Sequence, residues 1–178
     1  VTGLPVIRPE NSHICLVGLS GTGKSTLGPI LASHLGLGAC VDLDRVIEQR
    51  LGASTTQIFQ DQGEAFFRQC ESEALAEALT GPPVVIAAGG GVVLDQSNRI
   101  LLSGQVTVVW LRGSVAHLAE RLRESEGSRP LLRGDSEFAL QRLSEEREAL
   151  YASVADLAID VDGLDPREVS VAILEELQ

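Results

Sequence analysis

The stretch Gly18-Leu-Ser-Gly-Thr-Gly-Lys24-Ser25-Thr26 constrains this chain more than any other. It reads G-x-x-x-x-G-K-S. The apolar run Ile14-Cys-Leu-Val17 leads into it, and a helical pattern from Thr26 to Leu35 leads out. A phosphate-cradling P-loop requires that strand–loop–helix context. Gly18, Gly21 and Gly23 allow a tight backbone whose N–H groups turn toward anionic oxygens. The helix behind them directs its positive dipole end at the same anion. Lys24 is placed to reach the outer phosphates of a nucleotide and the Ser25 hydroxyl to ligate Mg²⁺, with Gly21, Thr22, Gly23 and Thr26 completing the cradle. A chance glycine-rich turn would share the glycines but not the flanks. Lys24 is also the only lysine, every other strongly basic side chain being an arginine. A compact point charge suits a phosphate-binding position in a way that a planar fork does not.

With 178 residues and 44% apolar content, the chain should form one globular domain with a real core. One Trp and one Tyr leave that core to Leu, Val, Ile and Ala. A net charge of −11 argues against nucleic acid or an anionic membrane as partner. It also means that an anionic ligand must be drawn in by a local group of arginines. Cys15, Cys40 and Cys70 have no ligand spacing and read as buried thiols in a reducing cytosol. No apolar run reaches membrane-spanning length and no signal peptide is visible. The chain contains no methionine, and residues 1–11, with Pro5 and Pro9, are expected to be a loose leader before a single domain over 12–178.

Strand-like runs alternate with helical patterns, the signature of an α/β fold. Strands are expected at His13–Val17, Ala39–Leu43, Val84–Ala88, Val106–Leu111 and Leu157–Val161. Continuous apolar runs such as Val84-Val-Ile-Ala-Ala88 suit parallel strands covered on both faces. Pro29 falls one turn into the first helix, where it should remove a backbone bond and kink the helix slightly. Asp165, Pro166 and Glu168 mark the start of a last helix.

Ligands bind beyond the carboxyl ends of such strands, so the residues that follow each strand carry the functional reading. Asp42-Leu-Asp44 follows the second. Read as extended, it puts both carboxylates on one face, one for Mg²⁺ through water and one for a substrate hydroxyl. Alternatively, Asp44 caps a helix over Arg45–Leu51. Gly89-Gly90-Gly91 follows the third strand and offers bare backbone to a ligand, or a flexible turn. Gly63 should break a helical stretch that carries Glu64, Arg68 and Glu71 at i,i+4 and i,i+3. By spacing alone, that trio reads as a surface ion-pair ladder. Residues 121–135, with Arg121, Arg123, Arg129 and Arg133, should be a mobile loop fit to close over polyphosphate as a lid. Arg147 on a Glu-rich helix reads, alone, as an ion-pair partner.

Taken together, these pieces resemble shikimate kinase over nearly the whole chain from Ser12. The resemblance rests on the P-loop, Asp42-Leu-Asp44, Gly63-Glu64…Phe67-Arg68…Glu71, Gly89-Gly-Gly91, Arg129-Pro-Leu-Leu132 and Arg147…Leu150-Tyr151. It implies a P-loop three-layer fold of the nucleoside-monophosphate-kinase type, with a five-stranded parallel sheet and a mobile lid. It implies transfer of the ATP γ-phosphoryl group to the 3-hydroxyl of shikimate, with Mg²⁺, by a cytoplasmic monomer. It further implies that Asp44 binds shikimate hydroxyls, that Arg68 and Arg147 hold its carboxylate with Glu71 steadying Arg68, and that the Gly89–Gly91 backbone contacts it. Asp42 would support Mg²⁺ beside Ser25, Arg129 would reach ATP from the lid alongside Lys24, and Arg121 or Arg123 would lie against adenine. A gluconate-type kinase would share the P-loop but leave Arg68 and Arg147 without a task. A ligand-sensing domain would be expected to have lost Asp44 or a substrate arginine. A switch GTPase is disfavoured, since no Asn-Lys-x-Asp element is present.

Overall fold

His13–Val17 forms β1, all five residues buried, because helices cover the sheet on both sides of it. Its alternate side chains divide between two cores. Cys15 and Val17 join one; Ile14 and Leu16 join the other. The computed structural model describes residues 12–124 and 136–177. After β1 the order is α1 (Lys24–His34), β2 (Cys40–Asp42), α2 (Leu43–Leu51), α3 (Thr55–Ala78), β3 (Val85–Ala87) and α4 (Gln96–Gln105). Then come β4 (Val106–Arg112), α5 (Val115–Glu124), α6 (Ser136–Val154), β5 (Leu157–Asp160) and α7 (Pro166–Glu176). The five strands are all parallel and lie in the order β2-β3-β1-β4-β5. Helices α1 and α7 cover one face; Ile58 and Phe67 of α3, Leu102 of α4, Leu118 of α5 and Leu140 of α6 pack on the other. This is the three-layer arrangement expected. The chain passes from β1 to β2 and β3 on one side, then crosses to β4 on the other, so the strand order reverses at β1 and the crevice at its carboxyl end is where a ligand is accommodated.

Several boundaries differ from the sequence reading for physical reasons. β2 stops at Asp42 because that residue caps α2, accepting from the Arg45 backbone N–H at 3.2 Å. Asp42, not Asp44, is therefore the cap, and Asp44 sits in the helix's first turn rather than in an extended segment. β3 is assigned only over Val85–Ala87, yet Val84 O and Ala88 N still bond β1 at 3.1 Å each. β4 runs one residue further, to Arg112, which pairs in register with Asp160 and forms a two-pronged ion pair with it at 2.9 Å. β5 ends at Asp160, although Val161 N still bonds Arg112 O at 2.8 Å. α1 begins at Lys24, directly off the glycine loop, and ends at His34. It passes through Pro29 without a non-helical residue; the carbonyl deprived of a partner belongs to exposed Ser25, where water can serve it. Arg121 and Arg123 lie in the last turn of α5, not in a loop. Arg129, Arg133, the remainder of the expected lid and residues 1–11 lie outside the described residues.

The break at Gly63 is as expected, at φ 83 and ψ 170 inside α3. Ser54 starts that helix with a reciprocal cap to Gln57, and Asp165 starts α7 in the same way with Glu168. Gly28 answers a packing need, since a Cβ there would lie 2.3 Å from Cys40 Sγ. Among the described residues, no helix is long and apolar enough to cross a membrane.

Only one of the three free cysteines is fully buried. Cys15 is 0% exposed, while Cys40 and Cys70 are partly open. Burial raises the thiol pKa to about 12 at Cys15 and to about 11 at Cys40. A thiol-modifying disulfide reagent at pH 8 should therefore react first at Cys70, slowly at Cys40 and not at Cys15 until the protein unfolds. The Cys15 contribution to stability is intact below the unfolded thiol pKa near 9 and is lost as pH climbs through about 12. Rapid modification of all three thiols in folded protein would contradict this packing.

Candidate active site

The glycine loop takes its shape from three residues in the left-handed half of φ space, Gly18 at 139°, Gly21 at 91° and Gly23 at 89°. Space is short as well, since a Cβ on Gly18 would meet Leu111 O at 2.4 Å. Gly23 caps α1, so the first-turn N–H groups open onto the loop. Lys24 is 8% exposed and folds across the loop, donating to Gly18 O at 2.7 Å, Leu19 O at 2.8 Å and Thr22 Oγ1 at 3.4 Å. Thr22 is tied by its own hydroxyl to Leu19 O at 2.9 Å. Ser25 and Thr26 stand exposed in the same turn. The Arg121 guanidinium lies beside the loop, 3.1 Å from where a Gly23 Cβ would be. With Leu164 and Pro166 it edges a shallow groove.

The second half of the site gathers on Gly89–Gly91, just past β3. None of these three glycines has a positive φ; two of them are bare because side chains press on them. A Cβ on Gly89 would lie 2.2 Å from Glu71 Oε1 and 3.1 Å from Asp44 Oδ1. A Cβ on Gly91 would lie 2.2 to 2.4 Å from the Arg68 guanidinium. Gly90 has ordinary room, with Gly18 O at 3.5 Å and Arg147 Nη1 at 3.7 Å from its notional Cβ. The Gly18 contact places the glycine turn directly against the phosphate loop.

Glu64, Arg68 and Glu71 are not the surface ladder that spacing suggested. Glu71 is 0% exposed. Arg68 donates to it at 2.8 Å and to Glu64 at 3.0 and 3.2 Å, and its guanidinium rests over Phe59 and Phe67. Burial raises the Glu71 pKa, Arg68 pulls it back, and neighbouring Asp44 raises it again. Glu71 Oε1 is buried with no hydrogen-bond partner among the described residues. Arg147 is 7% exposed; one nitrogen donates to Gly90 O at 3.0 Å and Nε is buried without a partner. It is therefore not the ion-pair partner that its Glu-rich helix suggested.

Tyr151, one turn beyond Arg147 on α6, was not singled out for a role by the sequence. Its hydroxyl also donates to Gly90 O, and its ring stacks on Trp110 with centroids 5.8 Å apart. The signal available was that it is the only tyrosine and lies four residues after Arg147. Replacing Tyr151 with Phe keeps the stack and removes one buried hydrogen bond. Denaturant unfolding should show a loss of about 1 kcal/mol. No loss would mean that Arg147 alone satisfies the Gly90 carbonyl.

The family model described as shikimate kinase matches residues 20–178. A shikimate kinase from Gloeobacter violaceus is 46% identical over 152 residues, covering 85% of this chain and 84% of that protein. The chain belongs to the shikimate kinase family. A solved shikimate kinase from Acinetobacter baumannii, described as in complex with shikimate, superposes with a TM-score of 0.87 at 34% identity, covering 92% of this chain and 91% of that one. A gluconokinase from Sinorhizobium meliloti superposes with a TM-score of 0.58 at 22% identity over 96% of this chain and 93% of its own, a likeness of fold alone.

In this shikimate kinase family member, Asp44, Glu71, Arg68 and Arg147 meet at Gly89–Gly91. Lys24 and the loop of Gly18, Gly21 and Gly23 lie on the adjoining side. Asp42 stands at the carboxyl end of β2, in register with Ala87 of β3. Among the described residues no three His, Cys, Asp or Glu side chains cluster as metal ligands. Magnesium is compatible with that sparse set, because it keeps several waters and takes one or two protein oxygens plus substrate phosphates.

Proposed function

We propose that this chain transfers the γ-phosphoryl group of ATP to the 3-hydroxyl of shikimate, giving 3-phosphoshikimate on the way to chorismate and the aromatic amino acids. The observation that carries the reading is the meeting of Arg68 and Arg147, across one glycine turn, directly beside the phosphate loop. Two guanidiniums with free hydrogen-bonding capacity suit a carboxylate, which they bond in planar, bidentate fashion. They also answer the repulsion that an acidic protein presents to an acidic substrate.

Phosphoryl transfer has a loose transition state, so the protein chiefly positions and neutralises. Lys24 would leave the loop carbonyls for the β- and γ-phosphates, where its charge follows the developing negative oxygens. Gly21, Thr22, Gly23, Lys24, Ser25 and Thr26 would hold the phosphates through the backbone N–H groups of the loop and first helical turn. Arg121, which edges the groove beside the loop together with Pro166, would lie against adenine, a planar guanidinium being suited to stacking. Arg129 would add a second cation from the lid. Ser25 and Asp42 would hold Mg²⁺, which supplies charge neutralisation between the phosphates. Asp44 would orient the 3-hydroxyl and accept its proton, with the backbone of Gly89, Gly90 and Gly91 completing the acceptor site. The net charge of −11 supports a monomer with no nucleic acid or membrane partner, and the three free cysteines support a reducing cytoplasm.

Coupled ADP release with ATP and Mg²⁺ tests this, comparing shikimate, gluconate and no acceptor. Release with shikimate alone is expected. Release only with gluconate, or equal release without an acceptor, would overturn the proposal.

A further inference from the structure

The glycine turn that seats Arg68 is held from a side that the reaction does not visit. Its own backbone supplies two bonds, Val92 N to Gly89 O at 3.1 Å and Leu94 N to Gly91 O at 2.9 Å. The carbonyls of Val92, Val93 and Leu94 face the start of α4. There Asn98 Nδ2 donates to Val92 O at 3.0 Å, and Arg99 Nη1 donates to Val93 O at 2.6 Å and Leu94 O at 2.9 Å. Two successive side chains thus tie three successive carbonyls.

Both residues are costly choices for their positions if packing alone is considered. Asn98 is 1% exposed and its Oδ1 is buried without a partner, so only the donor half of the amide is used. An apolar side chain would be easier to bury there. Arg99 puts a positive charge in the first turn of a helix, the end where the dipole disfavours cations. Each makes sense as a donor to the turn.

We propose that Asn98 and Arg99 are positioning residues for the acceptor. By tying Val92–Leu94 they fix the plane of Gly89–Gly91, against which Arg68 and Glu71 rest and whose Gly90 carbonyl Arg147 and Tyr151 share. Neither touches the substrate. The inference rests on the proposed function, since it gives Arg68 and Arg147 the acceptor carboxylate. A small displacement of such groups is enough to misplace a hydroxyl relative to the γ-phosphate.

The experiment uses the full chain and separate KM values for shikimate and ATP, with thermal unfolding alongside. Arg99→Met keeps the stem and removes the donors. It should raise the shikimate KM roughly tenfold while the ATP KM stays within about twofold. Arg99→Lys, which can still donate to both carbonyls, should return the shikimate KM to within about threefold of wild type. Asn98→Ala is read by the same split. Ser170→Ala, which removes the 2.9 Å bond to His34 far from the turn, should lower the melting temperature and move neither KM. Unchanged shikimate KM in Arg99→Met and Asn98→Ala, equal movement of both KM values, or no rescue by lysine would overturn the assignment. Failure of both variants to fold would make the pair structural and overturn it too. A wild-type chain inactive on shikimate would sink the proposed function itself. The clamp alone fails when wild type turns shikimate over and the variants keep its KM.

Discussion

Replacing Arg147 with Met should lower kcat/KM for shikimate by roughly a hundredfold, about 3 kcal/mol, with the KM for ATP within about twofold of wild type. Arg147 is buried; it donates to the Gly90 carbonyl, which Tyr151 also serves, and it bonds the Tyr151 hydroxyl as well. Its unpartnered Nε leaves capacity for an anion. No carboxylate among the described residues lies within salt-bridge distance of this guanidinium, so the folded protein should survive and the loss should appear in acceptor binding. Arg68→Ala should also weaken shikimate binding, by about 2 kcal/mol. That variant is harder to interpret because it leaves Glu71 buried without its counter-charge. Steady-state kinetics with shikimate and ATP varied separately decide the matter. An unchanged shikimate term in Arg147→Met would reduce Arg147 to a brace for Gly90.

The layered α/β fold was legible because each strand announces itself as an apolar run and each connection returns through a helix. Strand and helix ends moved by one or two residues, and at β2 the cause is a side chain that competes for the backbone. Asp42 is the clearest case. Its carboxylate captures Arg45 N–H and starts α2 two residues sooner than a strand pattern suggests. Periodicity reports which face is buried; it carries no information on which of two nearby carboxylates wins a cap. The same blindness misread Arg121 and Arg123, because a helix with basic residues in its last turn is favoured by its dipole and looks like loop charge in sequence.

At the site, the phosphate loop was fully legible, since its chemistry is local and contiguous. The acceptor half was not. Spacing puts Glu71 on the same helical edge as Arg68 but cannot tell that Gly89 lies across from it and buries it. Likewise, three glycines in a row suggest freedom, whereas Gly89 and Gly91 are needed for clearance beneath Glu71, Asp44 and Arg68. Those contacts join residues far apart in the chain, so only the resemblance to a family brought them together before the fold did. Arg129 stays an expectation of that resemblance.

Asp44→Asn is the sharpest test of chemistry as distinct from binding. On the proposed reading, Asp44 accepts the proton of the hydroxyl that attacks the γ-phosphorus. A neutral amide of the same shape still fits, yet it cannot take the proton that the hydroxyl gives up as its oxygen attacks. Turnover should fall about a thousandfold, with ATP binding preserved. The change also removes a like charge from beside Glu71, whose pKa is raised first by burial and further by Asp44. The melting temperature of Asp44→Asn should hold steady, which assigns the loss of turnover to chemistry. Single-turnover phosphoryl transfer at saturating shikimate isolates the chemical step from acceptor affinity. A near-normal single-turnover rate would show that orientation alone suffices and that the proton leaves by another route. A low rate with a collapsed melting temperature would instead place Asp44 among the groups that hold α2 against Gly89.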